Sequence, residues 1–185
     1  MEDISRQKRL DDEIYAYAIS DRITGLYNRK ILIELANRDI TAALRYGRAM
    51  TLLVVDIDHF KEVNDRFGYP AGNQYMQHLA EICRASVRTS DLIGRIGKDS
   101  FGILLTESAL ADALQVAERI REKAAQISIP AAEGTLTCTV SIGGTALAYH
   151  QNMEQLVLEC EGLLQNYQLQ QRTNACVGFS EAVPL

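Results

Sequence analysis

The chain has 185 residues, 47% of them hydrophobic, with only 12 Gly and 3 Pro, which suits one domain with a sizeable core and excludes a disordered chain. Nineteen Lys and Arg against 24 Asp and Glu leave a net charge of −5, which argues against nucleic acid as a main partner but leaves room for a local basic site for a small anion. No apolar run approaches the ~20 residues of a spanning helix, and the N-terminus is too acidic for a signal peptide, so a cytoplasmic protein without a membrane span is expected.

In chain order, residues 4–20 predict a helix whose polar first half suits a linker or dimer-forming arm better than core. Asp21 to Leu26 breaks that pattern. Asn28 is placed to cap a second helix running to about Tyr46 on Ile31, Leu32, Leu35, Ile40 and Leu44. TLLVVDI (51–57) is a continuous apolar run ending in an acid, the mark of a central strand buried on both faces. Residues 58–66 predict a short helical loop, 68–72 a turn, and Asn73 to Val87 a long helix. Strands at 92–96 and 101–106 flank the turn Gly97-Lys98-Asp99-Ser100. A helix over 109–127, a long strand over 135–147, a helix over 153–169 and a last strand, ACVGF, complete an α/β domain with a mixed sheet. Cys83, Cys138, Cys160 and Cys176 have no metal-ligand rhythm and read as reduced thiols, with a disulfide pair the alternative.

Asp56 and Asp58, two apart in an extended strand, point the same way at the rim of a buried strand, where charge must be solvated, paired or bound to a cation. Asp99 sits on a turn that can lie beside them, and converging carboxylates are hard-oxygen donors of the kind Mg²⁺ takes with phosphate. The plainer alternative makes Asp58 and Asp99 solvated turn residues. If DHFKEVN (58–64) wraps tightly, its amides can cradle a phosphate with Lys61 adding charge, and Asn64 can read a base edge; otherwise both are surface residues. Arg88 and Asp91, three apart, form either a purine and phosphate site or a surface ion pair.

Together these segments resemble a GGDEF domain, the diguanylate cyclase family. DRITGLYNRK (21–30), DIDHFKEVNDRFGYPAGN (56–73), RTSDLIGRIGKDSF (88–101) and TVSIGGTA (139–146) carry the resemblance. It implies a GGDEF domain over 21–185 after an N-terminal helix over 1–20. The implied fold is the family's palm-like, ferredoxin-like mixed central β-sheet flanked by helices. The implied activity condenses two GTP, held on two facing domains, into cyclic di-GMP. On that resemblance Asp56, the carbonyl of Ile57 and Asp99 match metal ligands, with Asp99 also helping to activate the hydroxyl. Phe60 and Lys61 match the terminal-phosphate site, Asn64 and Asn73 the guanine readers, and Arg95 an arginine near the phosphates. Arg88 and Asp91 match the pair that binds the cyclic product away from the active face.

The signature is altered. Lys98 stands for a glycine, with a risk of backbone strain. Ser100 stands for a glutamate, Asn73 for an aspartate, Tyr69 for a histidine and Gln168 for a phosphate-binding lysine, while Arg172 is kept. The implied function is a degenerate signalling domain, with cyclase activity lost or very weak, that binds cyclic di-GMP at the Arg88–Asp91 site and takes GTP, if at all, with Mg²⁺. The alternatives are an active Mg²⁺-dependent cyclase and an interaction module without nucleotide. Implied partners are a second copy, through the domain or the N-terminal helix, or another signalling protein.

Overall fold

Eight residues, Met50–Ile57, form β1, buried everywhere except at the half-buried Asp56. A strand so apolar needs cover on both faces, and it lies at the centre of a five-stranded sheet. The computed structural model describes residues 2–149, 151–170 and 172–179. The helices are α1 (Glu2–Ile19), α2 (Arg29–Tyr46), α3 (Phe60–Phe67), α4 (Tyr69–Ser86), α5 (Leu110–Ala124) and α6 (Met153–Leu169). The other strands are β2 (Leu92–Arg95), β3 (Ser100–Thr106), β4 (Ile129–Ala131), β5 (Gly134–Leu136), β6 (Val140–Ala146) and β7 (Cys176–Phe179). The main sheet runs β2-β3-β1-β6-β7, antiparallel except for the β6/β7 pair, and β4-β5 forms a separate hairpin. This is the mixed sheet with helical cover that the sequence predicts.

Alternation along β1 divides the core. Leu53, Val55 and Ile57 face α4 and α5, with Phe101 and Ile103 beside them. Leu52 and Val54 face α2 and α6, with Leu104 beside them. The side chain of Asn28 accepts from the Ile31 N–H at 3.0 Å and caps α2 as predicted. Helix α6 starts on a capping box of Asn152 and Gln155. Leu10, Ile14 and Tyr17 of α1 are exposed. All four cysteines are free. Among the described residues no helix is long and apolar enough to cross a membrane.

Two segments differ from expectation. The turn predicted over 68–72 is mostly helix: Gly68, at φ 81°, breaks the chain, and α4 begins at Tyr69 with Pro70 in its first turn, where its missing N–H costs no helical hydrogen bond. The strand predicted over 135–147 breaks at 137–139. There the backbone turns aside because Cys138 O accepts from the Tyr75 hydroxyl at 3.1 Å and the Thr139 hydroxyl reaches Asp58 at 2.6 Å.

Candidate functional site

The strand-end acids separate into two kinds. Asp58 is 2% exposed and is neither a solvated turn residue nor a free ligand. Its Oδ1 accepts from Ser141 Oγ at 2.7 Å, and its Oδ2 from Thr139 Oγ1 at 2.6 Å and the Asn174 N–H at 3.0 Å. The buried carboxyl group is satisfied by donors on β6, on the residue before it and on the approach to β7. Asp56 stays at the rim. In register it lies opposite Ser100 on β3 and Ser141 on β6, and its Oδ2 accepts from Gln168 Nε2 of α6 at 2.8 Å.

Burial pushes the Asp56 carboxyl up to about 6, with the Gln168 hydrogen bond opposing and the charges of Asp99, Asp58 and Glu161 adding. Between the ordinary value of 3.8 and about 6 the folded state holds a proton that the unfolded chain has released. Stability therefore falls as pH rises through that window and stays lower above it. Asp56→Asn is expected to raise the thermal midpoint at neutral pH and to flatten its pH profile over the same window. A lower midpoint for the variant at neutral pH contradicts this.

The turn after β2 is held from behind. Arg95 donates through Nε to Gly97 O at 3.0 Å, through Nη2 to Lys98 O at 2.7 Å and through Nη1 to Asp21 Oδ1 at 3.0 Å. Asp21 in turn accepts from the Ile23 and Thr24 N–H groups and from the Thr24 hydroxyl. Burial pushes the Asp21 carboxyl up, but the Thr24 hydrogen bonds and Arg95 outweigh it and hold it below its ordinary value. Arg95, placed near phosphates by resemblance, thus has each of its nitrogens on a protein acceptor and fixes the turn. The Ile57 N–H donates to Asp99 O at 2.9 Å and ties the same turn to the end of β1. Lys98 is not among the residues with positive φ, so the lysine fits without the backbone strain feared from the sequence.

Two adjoining cavities open here, sharing Phe60, Lys61 and Asp99. One, of about 410 Å³, adds Asp56, Ile57 and Gln168. The other, of about 550 Å³, adds Asn64, Asn73, Tyr69, Arg95 and Lys98, with Ile23 and Met76 as apolar lining. Phe60 and Lys61 open α3, where the first N–H groups lack intrahelical acceptors. The side-chain oxygen of Asn64 is buried and has no hydrogen-bond partner. A Cβ on Gly72 would overlap that oxygen, so the glycine makes room for it. An unsatisfied buried acceptor beside a cavity suits a ligand N–H.

Asp56, Ile57 and Asp99, which the resemblance matches to metal ligands, line the smaller cavity together, and Gln168 holds one oxygen of Asp56. Among the described residues no three His, Cys, Asp or Glu converge to hold a metal ion.

On the far side of the β2–β3 hairpin lies a cavity of about 390 Å³ lined by Arg88, Asp91, Glu107, Asp112 and Arg119. Arg88 and Asp91 do not share a helix face, because α4 stops at Ser86 and Val87 is extended. Instead Asp91 Oδ2 accepts from the Arg88 N–H at 2.8 Å, and Oδ1 from the Thr106 N–H at 3.0 Å and hydroxyl at 3.2 Å. The Arg88 guanidinium is exposed and makes no ion pair among the described residues. Arg119, which the sequence reading missed, reaches this cavity from α5 and donates to Ser86 O at 2.8 Å. No short motif marks it; only the fold brings it to Arg88.

A family description, "Diguanylate cyclase, GGDEF domain", matches residues 18–174. The chain is 33% identical over 156 residues to diguanylate cyclase DosC of Escherichia coli (strain K12), covering 83% of this chain and 34% of that protein. It is 33% identical over 150 residues to response regulator PleD of Caulobacter vibrioides (strain NA1000 / CB15N), covering 80% and 33%. The chain thus spans about a third of the length of these curated relatives. Among solved structures it is similar to diguanylate cyclase SiaD from Pseudomonas aeruginosa, in complex with its activator SiaC, at TM-score 0.83 and 28% identity over 96% of this chain and 69% of that one. The coiled coil and GGDEF domain of DgcB from Caulobacter crescentus, in complex with c-di-GMP, shares the fold at TM-score 0.87 and 22% identity over 96% and 94%.

Proposed function

The chain belongs to the GGDEF diguanylate cyclase family, and from that premise we propose that it is a degenerate member that binds cyclic di-GMP in the Arg88 cavity and converts GTP weakly or not at all. The observation that carries this is the contrast between the two sites. Arg88 presents a guanidinium without an ion pair among the described residues, beside Arg119 in a formed cavity, whereas the rim acid Asp56 is held by Gln168 and has Ser100 opposite it in register. Planar guanidinium forks match phosphate oxygens and stack on purines. Asp91 fixes the Arg88 backbone through its carboxylate. A carboxylate has about four acceptor positions, and the three hydrogen bonds it accepts here leave one for a guanine edge.

Calorimetric titration tests the proposal. Arg88→Ala is expected to weaken cyclic di-GMP binding by about 10²-fold, the scale on which losing one charge-assisted fork is felt. Because Arg88 is exposed, the variant is expected to fold as the parent does. Affinity unchanged by Arg88→Ala would sink the proposal.

A further inference from the structure

We propose that α1 is a lever on the Lys98–Asp99 turn, coupled to it through Asp21 and acting within a single copy of the chain. This goes beyond the reading of the Arg88 cavity and stands whether or not cyclic di-GMP binds there.

From Ser5 to Ala18 every residue of α1 is exposed, and cover begins at Ile19 and Ser20, so the helix is seated on the domain by its end. There the chain folds back as a narrow loop with two arms. The Asp21 N–H donates to Leu26 O at 2.7 Å, Ser20 pairs antiparallel with Tyr27, and the Asn28 N–H donates to Ile19 O at 2.9 Å. The Asn28 side chain adds a bond to Ala18 O at 2.8 Å. The second arm is pinned to β2. Tyr27 pairs with Gly94, and its carbonyl accepts from the Arg95 N–H at 2.9 Å. A Cβ on Gly94 would come within 2.8 Å of that oxygen, so backbone lies on backbone with no slack. The first arm is the one that α1 can move, and it carries Asp21, two residues past the end of the helix.

Asp21 holds the Arg95 guanidinium, whose other nitrogens fix the carbonyls of Gly97 and Lys98. Arg29, at the start of α2, donates to Ile96 O at 2.7 Å and clamps the residue before them. Three successive carbonyls are thus held by guanidinium groups, and Asp21 sets the position of the one that holds two of them. The side chains of Arg95 and Asp21 are only 16% and 17% exposed, so water and salt screen this pair less than a surface pair. Turning or unwinding the last turn of α1 displaces Asp21 and slackens Arg95. That loosens the turn whose Asp99 lines both strand-end cavities.

Amide hydrogen exchange on the whole chain, followed by NMR, tests the coupling. The reporters are the N–H groups of Ile96 and Gly97, which donate to Ser100 O, and of Ile57, which donates to Asp99 O. The Ile120 N–H, within α5, is the reference for global opening. Ala16→Pro breaks the last turn of α1 at an exposed residue and is expected to speed the reporters about fivefold while leaving Ile120 unchanged. Ala16→Gly, gentler on the helix, is expected to repeat this pattern on a smaller scale. Asp21→Asn keeps an oxygen for the Thr24 N–H and hydroxyl but removes the charge that Arg95 faces, and is expected to speed the reporters about tenfold. Ala16→Pro added to Asp21→Asn is expected to change those rates by less than about twofold, because the link it acts through is already cut. Reporters that ignore both Ala16 variants, reporters that ignore Asp21→Asn, equal speeding at Ile120, or effects that multiply in the double variant each overturn the proposal.

Discussion

Asp58→Ala is expected to destabilise the domain by about 3–5 kcal/mol, a loss on the scale of breaking a buried charged network. The carboxylate is buried, and three donors converge on it: the hydroxyls of Thr139 and Ser141 and the main-chain N–H of Asn174. Alanine leaves the buried Ser141 hydroxyl and two partly buried donors without this acceptor, and a buried hydroxyl or amide without an acceptor costs about 1–3 kcal/mol. The damage spreads along the chain. Asn174 adopts φ 54° just before β7, and its side chain accepts from Arg121 at 2.8 Å, so the Asp58 contact helps seat the last strand against β6. Asp58→Asn separates charge from geometry. Its oxygen can keep Asn174 and Thr139 while its amide donates to a rotated Ser141 hydroxyl, so the cost is expected to fall to about 1 kcal/mol. Urea unfolding monitored by circular dichroism measures both. If alanine costs less than asparagine, the network does not hold the sheet together.

Asp58 also shows where sequence reading stops. Its spacing from Asp56 is visible, and period-two alternation places both on one face of the strand. What separates a saturated buried acid from a rim acid is the set of donors at 139, 141 and 174, more than 80 residues away along the chain. The elements that were legible are those whose signals are local. TLLVVDI needs cover on both faces and so reads as β1, Asn28 caps α2, and the apolar periodicity of 153–169 matches α6. The strand predicted over 135–147 failed because Tyr75 and Asp58 pull on 138 and 139 from other elements. Arg119 was invisible for the same reason, since nothing around it in the sequence marks it as facing Arg88. Asp21 and Arg95 were both noticed within motifs, yet only the structure joins them into one support for the Lys98–Asp99 turn.

That support bears on which losses matter. The turn is in place, tied to Arg95 behind and to Ile57 beside it, so the altered signature has not unmade the cleft. What has changed is the chemistry of the groups on it. A glutamate at 100 would stand opposite Asp56 in register and add a carboxylate to those of Asp56 and Asp99. A lysine at 168 would leave Asp56 without its amide donor and bring a cation to the phosphate side of the smaller cavity. A glycine at 98 would remove an exposed ammonium from the larger cavity that Asp99 also lines.

The combined variant Lys98→Gly/Ser100→Glu/Gln168→Lys is therefore expected to raise conversion of GTP to cyclic di-GMP by about 10²–10³-fold over the parent chain, the effect of restoring one or two preorganised electrostatic contacts. Its GTP binding is expected to be strengthened by Mg²⁺ more than that of the parent. The assay is chromatographic detection of product at high protein concentration, because two domains must face each other for one nucleotide to attack the next. Ser100→Glu alone is expected to give much less, since Gln168 still holds Asp56 and no lysine is restored at 168; contacts that act as a unit do not add. Conversion that stays at the parent level in the combined variant, with GTP binding strengthened by Mg²⁺, would place the block at Asn64 and Asn73, the amides that the resemblance matches to guanine readers, where Asn73 offers a single acceptor oxygen. Conversion and binding both unchanged would show that charge at the strand ends is not what separates this cleft from a working one.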